Sequence, residues 1–265
     1  MLLLQYSGRS DVGMIRSGNE DSWHAEVEKG RGLFIVADGM GGHAAGEVAS
    51  EMAVQIVKRE LADLSELDSN DATRKVQDSL KRANRAIHDR TITEVDKQGM
   101  GTTASVLLMT ARRLLIGQVG DSRVYRLRDG ALTQITKDHS YVQEQVDAGF
   151  LTPEQARYHP YSNVITRCVG ASPDVEPDIY DGDVRVGDIF LVASDGLTGM
   201  VDDRRLAQLL MSRLTPDRKV HNLIAEANGR GGLDNITAIV VEVVNKDEDG
   251  AGNSRPGDTS RPDGR

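Results

Sequence analysis

Cysteine is almost absent from this chain: Cys168 is the one thiol among 265 residues. An internal disulfide is therefore excluded, as is a zinc site built on several thiolates, and a reducing compartment, the cytoplasm, is expected. An excess of basic charge is also missing, since 41 Asp and Glu stand against 32 Lys and Arg for a net charge of -9, which argues against non-specific nucleic-acid binding. Long apolar runs do not occur. The most hydrophobic stretches, Ile189 to Ala193 and Ile236 to Val241, have strand length and fall far short of the roughly 20 residues a membrane-spanning helix needs. Met1 to Leu4 brings three leucines with neither a basic region before them nor a small-residue cleavage site after them, so no secretory signal is expected.

Several catalytic templates are missing as well. The chain has no G-x-x-x-x-G-K-[ST] loop, no H-E-x-x-H and no G-x-S-x-G elbow. Asp181-Gly182-Asp183 opens like a calcium loop, but Arg185 and Val192 stand where ligands belong, and the segment reads as an ordinary turn.

What is present suffices for one large domain or two small ones, with 38% hydrophobic and 28% charged residues. Residues 246–265 carry no large apolar side chain and are expected to be a disordered polar tail, leaving residues 1–245 as the folded domain. Apolar, β-branched runs at Leu33–Ala37, Thr103–Met109, Leu114–Val119, Arg123–Arg128, Ile189–Ala193 and Ile236–Val244 predict strands. The break at Thr110 to Arg113 and the Asp129-Gly130 pair between neighbouring runs predict hairpins. Val48, Met52 and Ile56, and then Ala72, Val76, Leu80, Ala83 and Ile87, repeat at helical spacing. Asp202 as an N-cap, Pro216 in a first turn and Gly229 as a stop predict a second helical pair. Strands and helices are grouped rather than alternating, which favours an α+β layered domain over a doubly wound parallel sheet. Residues 140–177, with a helix start at Thr152-Pro153-Glu154-Gln155, read as an inserted flap. Trp23 and the methionines are expected in the core, and Cys168 as a small buried hydrophobe.

The chemistry rests on aspartates. Three apolar strands run into Asp38-Gly39, Asp121-Ser122 and Asp195-Gly196, while Asp234-Asn235 opens a fourth. One aspartate at a strand end is usually a turn former. Four that converge would repel one another unless a cation neutralised them, and oxygen-only ligands select Mg²⁺ or Mn²⁺ over Zn²⁺. Gly39 would let its carbonyl approach an ion beside Asp38. The rival reading of Gly39 to Ala44 as a dinucleotide loop, G-x-G-x-x-A, loses because Asp38 would face the pyrophosphate and a second helix replaces the required strand.

Six short motifs occur in order: Arg16-Ser17-Gly18-Asn19-Glu20-Asp21-Ser22, Asp38-Gly39-Met40-Gly41-Gly42-His43, Gly101-Thr102-Thr103-Ala104, Val119-Gly120-Asp121-Ser122-Arg123, Ser194-Asp195-Gly196-Leu197 and Asp234-Asn235-Ile236-Thr237. Together, across roughly Ser7 to Val244, the sequence resembles the bacterial form of the metal-dependent protein serine/threonine phosphatases of the protein phosphatase 2C family. The resemblance implies a central β-sandwich of two mainly antiparallel sheets flanked by helices, a four-layer αββα fold. It implies two ions of Mn²⁺ or Mg²⁺: Asp38 bridging them, the Gly39 carbonyl completing one site, Asp195 and Asp234 holding the other. A third, weaker ion would use Asp121 with Asp195. Glu20 would bind a metal directly or through water, with Asp21 behind the ligands, and Arg16 would clamp the phosphate. A metal-activated water would attack phosphorus without a covalent enzyme intermediate. His43 is the candidate general acid, with water on a metal as the alternative and helix capping as its structural role. Thr103 would shape the metal site, and His139 would serve a structural hydrogen bond.

The implied activity is hydrolysis of phosphoserine and phosphothreonine on proteins by a monomeric cytoplasmic enzyme whose counterparts are serine/threonine kinases and their substrates, with no nucleic-acid or membrane partner. The alternative is a non-catalytic domain of the same shape that binds phosphoproteins or senses a signal. Such a domain should have lost one of Asp38, Asp195 or Asp234.

Overall fold

The computed structural model describes residues 2–41, 44–110 and 112–245. The expected tail and His43 lie outside them. One sheet orders its strands β1 (Leu2–Asp11), β11 (Ile236–Asn245), β10 (Ile189–Ala193), β7 (Arg123–Arg128) and β8 (Ala131–Gln134). The other runs β2 (Asp21–Glu28), β3 (Arg31–Met40), β5 (Ala104–Met109), β6 (Arg113–Val119) and β9 (Asp178–Asp183), with the short β4 (Gly101–Thr102) paired to the end of β3. Every pairing is antiparallel.

The inner strands are buried on both faces, and alternate residues divide between two cores. Phe34 and Val36 of β3 join Leu107, Phe190, Val192 and Ile239 between the sheets. Leu33, Ile35 and Ala37 face outward onto α1 (Ala44–Leu61) and α2 (Asn70–Thr93), meeting Ala49, Ala53, Val57, Val76, Leu80 and Ile87. On the opposite side Leu191, Ala193, Ala238 and Val240 pack on α6 (Asp203–Leu210) and α7 (Pro216–Gly229) through Leu206, Leu210, Leu223 and Ile224. The four layers αββα follow directly, as expected. Buried Arg31 ties α1 to β3 by donating to the carbonyls of Leu61, Ala62 and Leu64 at 2.6, 2.8 and 3.2 Å, satisfying acceptors left open at the helix end.

Local signals held where the physics is local. Asp202 caps α6 by accepting from the Arg205 N–H, and Thr152 with Gln155 forms a capping box on α4 (Pro153–Arg157). Asp129 and Gly130 both have positive φ, 51° and 79°, in the β7–β8 hairpin. Residues 140–177 carry α3 (Tyr141–Asp147) and α4 and none of the named strands.

Other expectations are corrected. Asp181-Gly182-Asp183 is not a turn but part of edge strand β9, paired with Arg113 to Leu115 of β6, where an outer position tolerates Asp and Gly. Trp23 is a partly exposed residue lying over Gly8, where β2 and β1 border one another at the edges of the two sheets. Met14 and Met211 are exposed, and Cys168 is half-buried. Strands β1, β2, β4, β8 and β9 lack a long apolar run and were not anticipated, because edge strands are held by their neighbours' hydrogen bonds more than by their own side chains.

Candidate metal centre

Antiparallel pairing sets where the aspartates go. The end of β3 lies beside the start of β5, which pairs with the end of β6; the end of β10 lies beside the start of β11. Asp38, Asp121, Asp195 and Asp234 are therefore delivered to one end of the sandwich. Their charges act on one another there. Burial raises the Asp38 carboxyl well above the usual range, and the charges of Asp21, Asp195, Asp121 and Asp234 raise it further. Asp121 is raised by burial and then by Asp195 and Asp138. Asp195 is raised by burial and by Asp234, and lowered by a hydrogen bond with Asp38.

Below them sits Asp21, opposite Asp38 in the β2–β3 register. Its Oδ2 accepts from the Thr237 hydroxyl at 2.6 Å and the Ser194 hydroxyl at 2.9 Å. Burial outweighs these bonds and lifts its pKa to about 7.

The backbone around these acids is tightly held. Thr103 Oγ1 accepts from the Asp38 N–H at 2.9 Å and pairs with the Ser122 hydroxyl at 2.8 Å, so one hydroxyl joins the Asp38 and Asp121 segments. A Cβ on Gly39 would fall 2.2 Å from the Gly46 carbonyl oxygen and 2.5 Å from that of Glu20. One on Gly196 would fall 1.9 Å from the Asn235 oxygen. Glycine after Asp38 and after Asp195 is a packing requirement here, since neither contact leaves room for a side chain.

His139 brackets the Asp121 turn. Its Nδ1 accepts from the Gly120 N–H at 3.0 Å and its own N–H donates to the Gly120 carbonyl at 2.9 Å. An accepting Nδ1 places the ring proton on Nε2, 3.2 Å from Asp178 Oδ2. Burial lowers the ring's pKa, favouring this neutral form.

Arg16 lies at the mouth, half-exposed, donating to Asp234 Oδ2 at 2.7 Å. The Glu20 carboxyl is raised by burial, lowered by Arg16, raised by Asp234, and lowered again by the Gly46 N–H in the first turn of α1.

The donor set fits a hard divalent cation. It is all oxygen, it gathers like charges that repel, and buried Asp195 Oδ1 and Asp21 Oδ1 have no hydrogen-bond partner. Among the described residues no three His, Cys, Asp or Glu side chains already stand at the spacing of a closed ion cage. Arg16 on Asp234 instead offsets part of the charge.

The profile of the family described as protein phosphatase 2C matches residues 15–226. The chain belongs to the protein phosphatase 2C family. A curated relative, the serine/threonine protein phosphatase PstP of Mycobacterium tuberculosis, is 42% identical over 250 residues, covering 93% of this chain and 46% of that protein. This chain thus spans about half the length of that relative. Among solved structures, the PstP catalytic domain in complex with two manganese ions aligns with a TM-score of 0.82 at 40% identity, over 92% of this chain and 100% of that one. The serine/threonine phosphatase of S. agalactiae aligns with a TM-score of 0.85 at 38% identity, over 92% and 100%.

One family motif residue carried no assigned role in the sequence. Buried Asn235 accepts from the Glu20 N–H at 2.8 Å and donates to the carbonyls of Val12 and Gly18 at 3.0 and 2.9 Å. It clamps both ends of the loop that carries Arg16. A polar residue directly before the apolar β11 run was the available signal. Asn235→Ala removes three hydrogen bonds to partly buried backbone groups, which can turn in part to water, so a loss of about 2 kcal/mol is expected in urea unfolding. An unchanged midpoint would show that the loop is anchored elsewhere.

Proposed function

We propose that this chain is a metal-dependent phosphatase that removes phosphate from serine and threonine residues of proteins, opposing serine/threonine kinases. The observation that carries this reading is the set of Asp38, Asp121, Asp195 and Asp234 at one end of the sandwich, the first three raised by burial and by neighbouring carboxylates, in a family whose relatives are serine/threonine phosphatases. Asp38, the Gly39 carbonyl, Asp195 and Asp234 would hold a pair of Mn²⁺ or Mg²⁺ ions, with Asp121 and Asp195 offering a weaker third position and Glu20 contributing at the rim. When bound, the ions supply an acidified water for attack on phosphorus and offset the charge that builds on it.

The protein's own part is placement. Thr103 keeps the Asp38 and Asp121 segments together, and Asn235 keeps the Arg16 loop over the site. Arg16 would exchange its bond to Asp234 for the oxygens of a phosphate dianion, a planar fork suited to two of them at once. Asp21, behind the ligands, orients the Ser194 and Thr237 segments that lead to Asp195 and from Asp234. No helix among the described residues is long and apolar enough to cross a membrane, and a chain with one cysteine suits a reducing cytoplasm. A phosphoprotein-binding role without catalysis is disfavoured because none of the three central acids has been replaced.

The test is release of phosphate from a phosphothreonine peptide. Turnover with manganese should exceed turnover with chelator at least about a hundredfold, and Asp195→Asn should fall to the chelated level. Metal-independent turnover, or full activity in Asp195→Asn, would contradict the mechanism. Preference for phosphotyrosine would change the substrate class.

A further inference from the structure

Large apolar side chains stand in water beside the Arg16–Asp234 ion pair. Ile15 is 67% exposed, Met14 65% and Leu233 56%. Ile15 and Leu233 are the immediate chain neighbours of Arg16 and Asp234, so the 2.7 Å contact between those two charges brings together the backbones that carry both apolar groups. A second tie runs in parallel, the Met14 N–H donating to the Gly232 carbonyl at 2.8 Å.

This loop is built, not loose. Gly13 has a φ of +80°, and a Cβ there would lie 2.2 Å from the Asp234 carbonyl oxygen. Its N–H donates to Asp11 Oδ1 at 2.9 Å, the same oxygen that takes a bond from Asn228 at 3.1 Å. The backbone that displays Met14 and Ile15 is thus ordered before anything binds, which lowers the entropy cost of using it as a binding surface. Exposed apolar groups carried on two tied segments beside the candidate centre suit a contact surface.

We propose that Ile15, Leu233 and Met14 form an apolar shelf that receives a large aliphatic or aromatic side chain lying one or two residues from the phosphorylated residue of a protein substrate. The proposal rests on the phosphatase reading above. An extended peptide advances about 3.3 Å per residue, so with phosphate at Arg16 the neighbouring positions reach the side chains flanking that arginine. A peptide fits this surface better than a second copy of the chain does: three side chains fall well short of the roughly 800 Å² per partner that a stable dimer buries.

The experiment compares two phosphothreonine peptides that differ only in carrying leucine or serine on either side of the phosphothreonine, with the manganese-loaded chain. The expected kcat/KM ratio is about fivefold in favour of leucine, less than a closed pocket achieves because the shelf is open on one side. In the double variant Ile15→Ser, Leu233→Ser the ratio should fall below about twofold, chiefly through a higher KM for the leucine peptide. Val186→Ser, an exposed apolar site in the loop entering β10 from the opposite end of the sandwich, should keep the wild-type ratio. Release from both peptides at equal efficiency in the wild type would overturn the shelf and leave the phosphatase reading standing. A ratio that survives the double variant would also overturn it. No release from either peptide would remove the phosphatase reading and the shelf with it.

Discussion

Asp38→Asn is expected to lower manganese-dependent phosphate release by about a thousandfold or more while raising the melting temperature of the chelator-treated protein. Both effects come from one cause. Asp38 is buried among Asp21, Asp195, Asp121 and Asp234, and each of those charges opposes its ionisation. Asparagine keeps the shape of the side chain and removes its charge, so the cation-free protein loses a source of repulsion. For a chain of this size each kcal/mol recovered is worth about 2–4 °C, and a rise of about 3 °C or more near pH 8 is expected by differential scanning fluorimetry. The stabilisation that manganese confers on the wild type should vanish in the same variant. A variant that melts lower than wild type under chelation and still hydrolyses phosphothreonine at the wild-type rate would show that Asp38 is an ordinary structural residue.

The second large effect is in pH. In chelator, stability should decline as pH rises from about 4 to beyond 7, and the gain from manganese should grow over the same interval. Asp21 titrates near 7 in the folded state, and Asp38, Asp121 and Asp195 are also raised above the ordinary 3.8. Between the ordinary and the raised values the folded protein holds protons that the unfolded chain has released, so increasing pH draws the equilibrium toward unfolding. The favourable contribution is complete below the unfolded value and is gone once pH passes the folded one. Carboxylates displaced the other way, Asp183 to about 2 and Asp178, Asp202 and Glu226 also lowered, act below their ordinary values and leave the higher window clear. Melting curves from pH 5 to 8.5, with chelator or manganese, give the comparison. Asp21→Asn should flatten the chelator slope without touching any proposed ligand. A manganese gain independent of pH would mean that the ions do not replace protons on these acids.

Much of the architecture was legible in the sequence because its causes are local. The runs at Leu33–Ala37 and Ile189–Ala193 are strands buried on both faces, and such strands announce themselves as unbroken apolar stretches. The helices showed because one face of each is apolar at a period of 3.6, as Val76, Leu80 and Ile87 illustrate on α2. Edge strands β1, β2 and β9 do not, and Asp181-Gly182-Asp183 looks like a turn in the sequence for the same reason: a polar edge is made into a strand by its neighbour's backbone.

The candidate centre divides along the same line. Residue types alone identified Asp38, Asp121, Asp195 and Asp234 as acids at strand ends, and a chain of oxygen donors with one cysteine already pointed to a hard cation. Which acids meet is a matter of long-range pairing. Asp38 and Asp195 are separated by most of the chain, yet the two sheets bring them close enough for the charge of one to raise the other, and Asp21 reaches Ser194 and Thr237 from the other sheet. The clamp of Asn235 on Val12, Gly18 and Glu20 and the bracket of His139 on Gly120 exist only after folding, because each joins a side chain to backbone groups that sequence distance does not relate. Composition and periodicity settled the layers and the kind of chemistry, since both depend on what each residue is; the tertiary structure settled which groups share the charge, since that depends on where the backbone places them.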